Sequence, residues 1–181
     1  MNNPFFLADR RIFGINVDMR YSILLIISSF LVSCEFSEPI ATVPGKAIDP
    51  TILGLWERKN DAGVTEKLLV LPLSETQYLV SFPAHTADAM FAKVDAHDVA
   101  DRTLMQIEWV GTARGKSSDT KKVFQFATCT TAENSLSLRT LDSTVIGQNI
   151  AGGKALEEAI RTQKDNPKAF REAMVFQKSA E

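Results

Sequence analysis

The sequence predicts a mainly β protein with a helical C-terminal part. This is an α+β domain in which an antiparallel meander forms a small barrel or half-barrel, capped by one or two C-terminal helices. Apolar and polar residues alternate in seven short segments between positions 53 and 139. Turn-forming residues separate these segments, and no helical pattern of about 10–15 residues lies between them, which disfavours a parallel sheet. After residue 153 the apolar spacing changes to that of a helix.

Length and composition are those of one globular domain. The chain has 181 residues, of which 45% are hydrophobic and 23% charged. Its formal net charge of −2 disfavours a basic nucleic-acid-binding protein. Two cysteines in a chain of this length do not form a disulfide scaffold.

Residues 1–33 are predicted to be a signal peptide. An apolar run of about 12 residues follows Arg20, whereas a membrane-spanning helix needs about 20. A short apolar run after a basic residue near the N-terminus is typical of a signal peptide. Because Met19 directly precedes Arg20 and would open a leader of ordinary length, we hypothesise that translation begins at Met19.

The end of the apolar run carries a more specific pattern. The stretch Leu31-Val32-Ser33-Cys34 resembles the lipobox of bacterial lipoprotein precursors, in which an aliphatic, a tolerant and a small position precede a cysteine. The resemblance covers the leader alone. It implies that the Cys34 thiol receives a diacylglycerol, that cleavage falls before Cys34, and that membrane lipid is a partner of the protein. The alternative is an ordinary small buried thiol.

The same resemblance bears on localisation. It implies a lipid-anchored protein of the cell envelope. In a Gram-negative host Glu35, at a position where inner-membrane lipoproteins commonly carry aspartate, favours the outer membrane. Two or three acyl chains on Cys34 would hold the protein at the bilayer, whereas one chain gives marginal, reversible binding.

Residues 34–50 are predicted to be the lipidated N-terminus followed by a flexible tether, and residues 51–181 a single globular domain. The predicted tether contains Pro39, Pro44 and Pro50, and the apolar residues between them show no regular helix or strand spacing. Some 15 flexible residues have a root-mean-square reach of about 20 Å.

The predicted strands follow the tether in order. Turns at Asn60–Gly63, at Pro72–Glu75, at Pro83 and in the polar loop Arg114–Asp119 separate them. The predicted strands are Leu53–Arg58, Val64–Leu71, Thr76–Phe82, Ala89–Val94, Met105–Trp109, Lys121–Thr130 and a segment around Leu136 and Leu138.

The C-terminal part is predicted to be helical and then extended. Leu156 and Ile160 share one face of a helix over residues 154–161. Asn166-Pro167 is a cap followed by proline at the first helical position, so a second, shorter helix carrying Phe170 and Met174 is expected. Val175-Phe176 is predicted to rejoin the sheet as a last strand.

A second resemblance concerns the barrel. Gly54-Leu55-Trp56, at the start of the first strand, is similar to the Gly-x-Trp signature of lipocalins, whose order of meander barrel, helix and short final strand this chain shares. Gly54 and Trp56 are the residues that match. The resemblance implies that Trp56 closes the barrel floor and that the lumen holds an apolar ligand. The alternative is that Trp56 is an ordinary core aromatic.

The sequence predicts no catalytic, metal-binding or cofactor-binding residue and identifies no ligand-binding residue. It lacks a nucleophile elbow, a phosphate-binding loop and a Cys-x-x-Cys pair. Cys129 lies in an alternating stretch and is predicted to be buried and inert. A His/Asp cluster fits no metal template and is interpreted as solvated polar residues around a hairpin end. It consists of His85, Asp88, Asp95, His97, Asp98 and Asp101.

The sequence therefore predicts a membrane-anchored bacterial envelope lipoprotein that is not an enzyme and needs no cofactor. Its barrel would serve as a protein-interaction or structural accessory module, with an envelope protein as partner and no nucleic acid. The alternative is a lipocalin-like carrier of a small apolar ligand or lipid. An enclosed apolar cavity of about 300 Å³ or more would favour the carrier. A filled core with an exposed apolar patch would favour docking.

Overall fold

A computed structural model describes residues 36–116, 123–147 and 150–180. Its strands are β1 (Gly54–Lys59), β2 (Thr65–Pro72), β3 (Gln77–Phe82), β4 (Met90–Val99), β5 (Arg102–Thr112), β6 (Gly115–Lys116), β7 (Phe124–Ala132), β8 (Ser135–Thr140) and β9 (Met174–Lys178). Its helices are α1 (Ser143–Ile146) and α2 (Gly153–Thr162), and 3₁₀ turns span Pro50–Ile52 and Pro167–Ala169.

The strands form a closed antiparallel barrel. Each barrel strand pairs with the next along the chain, β4 pairs with β5, and β9 pairs with both β8 and β1 to close the ring of eight. The two-residue strand β6 pairs only with the end of β5. The predicted mainly β meander with C-terminal helices is confirmed, and it is a barrel rather than a half-barrel.

The barrel has two ends, which we name after the aromatic residues nearest to them. At the Phe36 end, β2 and β7 begin and β3 ends; at the Trp56 end, β1 and β3 begin and β2 ends. Turns at the Phe36 end join β1 to β2 and β5 to β6, whereas the β2–β3, β4–β5 and β7–β8 turns lie at the Trp56 end.

Two apolar clusters lie on the two faces of the sheet, because inward and outward side chains alternate along each strand. The inner cluster fills the barrel around Trp56 and Phe176. The outer cluster lies between the outward face of β4, β5 and β7 and the helices. It includes Leu104, Phe126, Ile146, Leu156 and Ile160.

The helical prediction was right for α2 and wrong for the second helix. Leu156 and Ile160 are buried as expected. After Asn166 the chain makes only one 3₁₀ turn, and Phe170 is extended and forms a backbone bridge to Leu141. The chain must straighten here because Met174 opens β9, which fills the gap between β8 and β1.

Residues 36–49, which we call the strap, were predicted to be part of a flexible tether, and this prediction was wrong. The strap lies along the outside of the barrel and is hydrogen-bonded to it at several points. Its apolar residues explain why it docks: Phe36 belongs to the outer cluster, Ile40 packs against that cluster, and Ile48 packs against the inner one. The prolines therefore shape an ordered extended segment.

Candidate functional site

Cys34, the predicted lipid-attachment residue, lies outside the described residues; the described chain starts two positions later, at Phe36. The Phe36 N–H donates to the Phe124 carbonyl at 2.8 Å, and the Phe124 N–H donates to the Phe36 carbonyl at 2.9 Å. The centres of the Phe36 and Phe126 rings lie 5.2 Å apart, and Phe36 is 3% exposed. Phe124 is the first residue of β7, so the chain is fixed at the barrel rim where its described part begins.

The side chain of Gln106 holds the middle of the strap. Its carbonyl oxygen accepts hydrogen bonds from the backbone N–H groups of Ile40 and Ala41, at 2.7 and 3.3 Å. Its amide nitrogen donates to the Ala41 carbonyl and to the Asp95 carboxylate, both at 3.1 Å. Gln106 is buried, so these bonds satisfy polar groups that the strap covers.

Asp95 and His97 lie on the same outward face of β4, which corrects the expectation of a solvated loop. The His97 Nε2 atom is 2.5 Å from an Asp95 carboxylate oxygen, and His97 is 8% exposed. Further along β4, Asp98 accepts hydrogen bonds from the ammonium of Lys46 at 2.8 Å and from the Thr103 hydroxyl at 2.7 Å. The hydrogen bond from Lys46, with that from Thr103, lowers the pKa of Asp98.

The rest of the predicted His/Asp cluster is divided between the barrel ends. His85 is exposed in the turn after β3, and Asp88 pairs with Arg114 at 2.7 Å at the Phe36 end. Asp101 lies in the β4–β5 turn at the opposite end. Within the described ranges, no group of three or more His, Cys, Asp or Glu side chains is arranged to hold a metal ion.

Trp56 lies at the closed end of the barrel. Its indole N–H donates to the Ile52 carbonyl at 2.9 Å. The Lys178 ammonium lies 4.2 Å from the centre of the Trp56 ring system and donates to the Leu53 carbonyl. The Asp49 N–H donates to the Tyr78 hydroxyl at 2.6 Å, and burial raises the pKa of Tyr78. The strap and the first 3₁₀ turn thus seal this end.

The Trp56 half of the barrel is filled by side chains. Trp56, Tyr78, Leu136 and Phe176 are each 1% exposed. An empty ligand-sized lumen around these side chains would leave their surfaces accessible to water, so no such space adjoins them.

Nearer the Phe36 end, the guanidinium of Arg58 lies 5.5 Å from the Phe176 ring centre. Arg58 also pairs with its cross-strand neighbour Glu66 at 2.6 Å.

The inward residues of β5 are less completely buried. Met105, Ile107 and Trp109 pack against the inner cluster but remain partly accessible, as do Val80 and Phe82 of β3. The indole N–H of Trp109 is buried and finds no hydrogen-bond acceptor among the described residues. A buried donor without an acceptor is costly, so this position is a candidate contact for a polar atom of a ligand.

Cys129 faces the barrel interior from β7, opposite Leu138 on β8. Burial raises the pKa of the Cys129 thiol to about 11. At neutral pH the thiol is therefore protonated, and a protonated thiol is a poor nucleophile. The predicted inert character of Cys129 follows from this environment, although its side chain is only partly buried.

An open groove of about 460 Å³ lies outside the barrel beside α1 and the second 3₁₀ turn. Its main cation, Arg139, donates to the carbonyls of Pro167, Phe170 and Arg171. Arg171 lies 3.6 Å from Asp142. Since these charges are already used to hold the C-terminal segment to the barrel, the groove has a structural explanation.

No protein-family model matches the chain, and no curated protein or solved structure is significantly similar to it. None of the helices in the described ranges has the length and apolar character that crossing a membrane requires.

The strap and the Trp109 indole are the features that sequence reasoning missed. Phe36, Ile40 and Ile48 are apolar residues within a proline-punctuated stretch, and this signal could have indicated a docked segment. Gln106 alternates with the apolar residues of the predicted strand Met105–Trp109 and belongs to its polar positions. Its burial depends on the strap, which alternation along β5 does not reveal.

Proposed function

We propose that this protein is a lipid-anchored lipoprotein of the bacterial cell envelope, attached through Cys34, and that its barrel has no catalytic role. The lipobox-like stretch Leu31–Cys34 supports the anchor. The barrel, in this proposal, is an interaction or structural accessory module that works through its outer surface at the membrane. In a Gram-negative host, Glu35 favours the outer membrane.

The filled interior of the Trp56 half favours an interaction role of the outer surface over a carrier role, in which the interior would hold a ligand. Four large inward side chains there are sealed from solvent, as in a small barrel whose core is packed by its own residues. On the outside, Leu55 pairs with Leu69 and Leu71 pairs with Leu79 across β1, β2 and β3. Leu71 is 40% exposed and the other three leucines are partly exposed, so the four form an apolar strip on this outer face.

Fractionation of cells that express the wild type and the Cys34→Ser variant tests the anchor. We expect the wild type to sediment with membranes and to incorporate labelled palmitate, and the Cys34→Ser variant to do neither. Cys129→Ser is the matched control, because it removes the other cysteine and should leave both results unchanged. Membrane association of Cys34→Ser equal to that of wild type would refute the proposal.

The carrier function is a second candidate because of Trp109. Its buried indole N–H without an acceptor, beside the partly accessible Met105 and Ile107, would suit an apolar ligand with one hydrogen-bond acceptor.

Native mass spectrometry of the detergent-extracted protein distinguishes the two candidates. A retained small molecule of defined mass, released by a Trp109→Leu substitution but not by the distant Trp56-end substitution Leu73→Ala, would favour the carrier. The surface role predicts the mass of the acylated polypeptide alone.

A further inference from the structure

We propose that the barrel is held directly on the lipid bilayer by its Phe36 end, in one fixed orientation, rather than on a flexible leash. The contact surface is the Phe36 rim: the barrel edge formed by Phe36 and Phe124, the β1–β2 turn and the β5–β6 turn. Its partner is the headgroup region of the membrane that carries the lipid on Cys34. This inference rests on the proposed lipidation of Cys34.

The distance between the anchor and the rim is set by chain geometry. Consecutive Cα atoms are joined by bonds that allow at most about 3.6 Å of extension per residue, so the Cys34 and Phe36 Cα atoms lie within about 7 Å of each other. Phe36 is itself fixed to Phe124 by two backbone hydrogen bonds and a buried ring. A glycerol bonded to the Cys34 sulfur therefore brings the rim to the depth of the headgroups.

The strap cannot lengthen this connection without leaving the barrel. Behind Phe36, the strap is held by Gln106, by a hydrogen bond from the Lys46 N–H to the Ala96 carbonyl at 2.8 Å, and by the Asp49–Tyr78 bond. It also packs closely: a Cβ at Gly153 would lie 2.5 Å from the Ile40 carbonyl oxygen. Release of a 15-residue leash would break all of these contacts.

The two turns that flank β2 lie at opposite ends of the barrel, so labels in them can show how the barrel is oriented relative to the membrane. Val64, 57% exposed, immediately precedes β2 at the Phe36 end, and Leu73, 46% exposed, immediately follows it at the Trp56 end. Val64 and Leu73 flank the eight residues of β2, so they are nine residue steps, or about 30 Å, apart along the strand. A barrel standing on its Phe36 rim would place Val64 near the headgroups and Leu73 well away from them.

Quenching by lipid-attached nitroxide measures this difference. The full-length, acylated protein, carrying Val64→Cys or Leu73→Cys in a Cys129→Ser background, is labelled with a fluorophore and reconstituted into phosphatidylethanolamine/phosphatidylglycerol vesicles with headgroup nitroxides. Given a separation of about 30 Å along β2, we expect quenching about twofold or more stronger at Val64 than at Leu73. A label at Ala113, in the β5–β6 turn, should behave like Val64, and one at Asn134, in the β7–β8 turn, like Leu73.

Equal quenching at Val64 and Leu73, or stronger quenching at Leu73, would overturn the inference while leaving lipidation intact. A protein that fails to acquire lipid or to associate with the vesicles would instead show that the proposed function is wrong. A second variant inserts about ten Gly and Ser residues between Glu35 and Phe36, a flexible spacer with a reach of about 17 Å. It keeps the lipid and the folded barrel, and it should abolish the difference; a difference that persists would contradict the fixed short connection.

Discussion

At the scale of single residues, the environment of Cys129 makes the free energy of unfolding depend on pH in the alkaline range. The pKa of the Cys129 thiol rises from an ordinary value of 9.0 to about 11 because partial burial of the side chain in the barrel interior disfavours the charged thiolate. The folded state therefore binds this proton more tightly than the unfolded state does. The resulting contribution is fully present below about pH 9 and is lost as the pH rises toward 11.

We expect Cys129→Ser to flatten the alkaline limb of the stability curve. A pKa difference of two units corresponds to about 2–3 kcal/mol, so wild type should lose about that much more stability between pH 8.5 and 11 than the variant does. Urea unfolding at several pH values measures this. Tyr78, whose raised pKa acts in the same direction, is common to both proteins. Parallel pH curves would contradict the assignment.

Gln106 is the residue on which the middle of the strap depends most. Gln106→Leu would leave the partly buried N–H groups of Ile40 and Ala41 without their acceptor, at a cost of about 1–3 kcal/mol. We expect lower stability in urea and faster hydrogen exchange at these two amides. Gln77→Ala is the control, since Gln77 reaches the same Asp95 carboxylate at 3.4 Å but forms no hydrogen bond with the described residues of the strap. Unchanged exchange in Gln106→Leu would show that other contacts suffice.

At the scale of elements, the strap and α2 fit together because α2 begins with a glycine. A Cβ at Gly153 would meet the Pro39 and Ile40 carbonyl oxygens at 2.8 and 2.5 Å. Alanine is the better helix former by about 1 kcal/mol, yet the clash requires the strap backbone to move.

We therefore expect Gly153→Ala to destabilise the protein by about 1–3 kcal/mol and to increase proteolytic cleavage within the strap. Lys154→Ala is the matched control in the same helical turn, because Lys154 is exposed, and should change stability by less than about 0.5 kcal/mol. A stabilised Gly153→Ala protein would mean that helix propensity outweighs the contact with the strap.

Elements with their own periodic signal were predictable from the sequence, and elements defined by tertiary contacts were not. Alternation at Tyr78, Val80 and Phe82 predicted β3, and the Leu156–Ile160 spacing predicted α2. The expected second helix failed because the cap at Asn166 and Pro167 begins only one 3₁₀ turn before β9 must pair with its neighbours. The order of the strap was missed because its partner groups on β4, β5 and β7 are distant in sequence.

At the scale of the whole molecule, the strap connects the Phe36 rim, where the described chain begins, to the sealed Trp56 end. The same rim would meet the membrane if Cys34 carries lipid, so the anchor, the partly accessible interior around Trp109 and the bilayer would come together at one end. The lipid anchor at Cys34 stays a prediction from the sequence, whereas the burial of Trp56 at the sealed end is described by the structure.

Mass spectrometry of the N-terminal peptide from membrane-extracted protein tests whether Cys34 is the lipid anchor. We expect a mature chain that starts at Cys34 and whose first residue carries a diacylglycerol, with or without a further acyl chain on its amine. An unmodified Cys34 within a peptide that continues into residues 1–33 would contradict it.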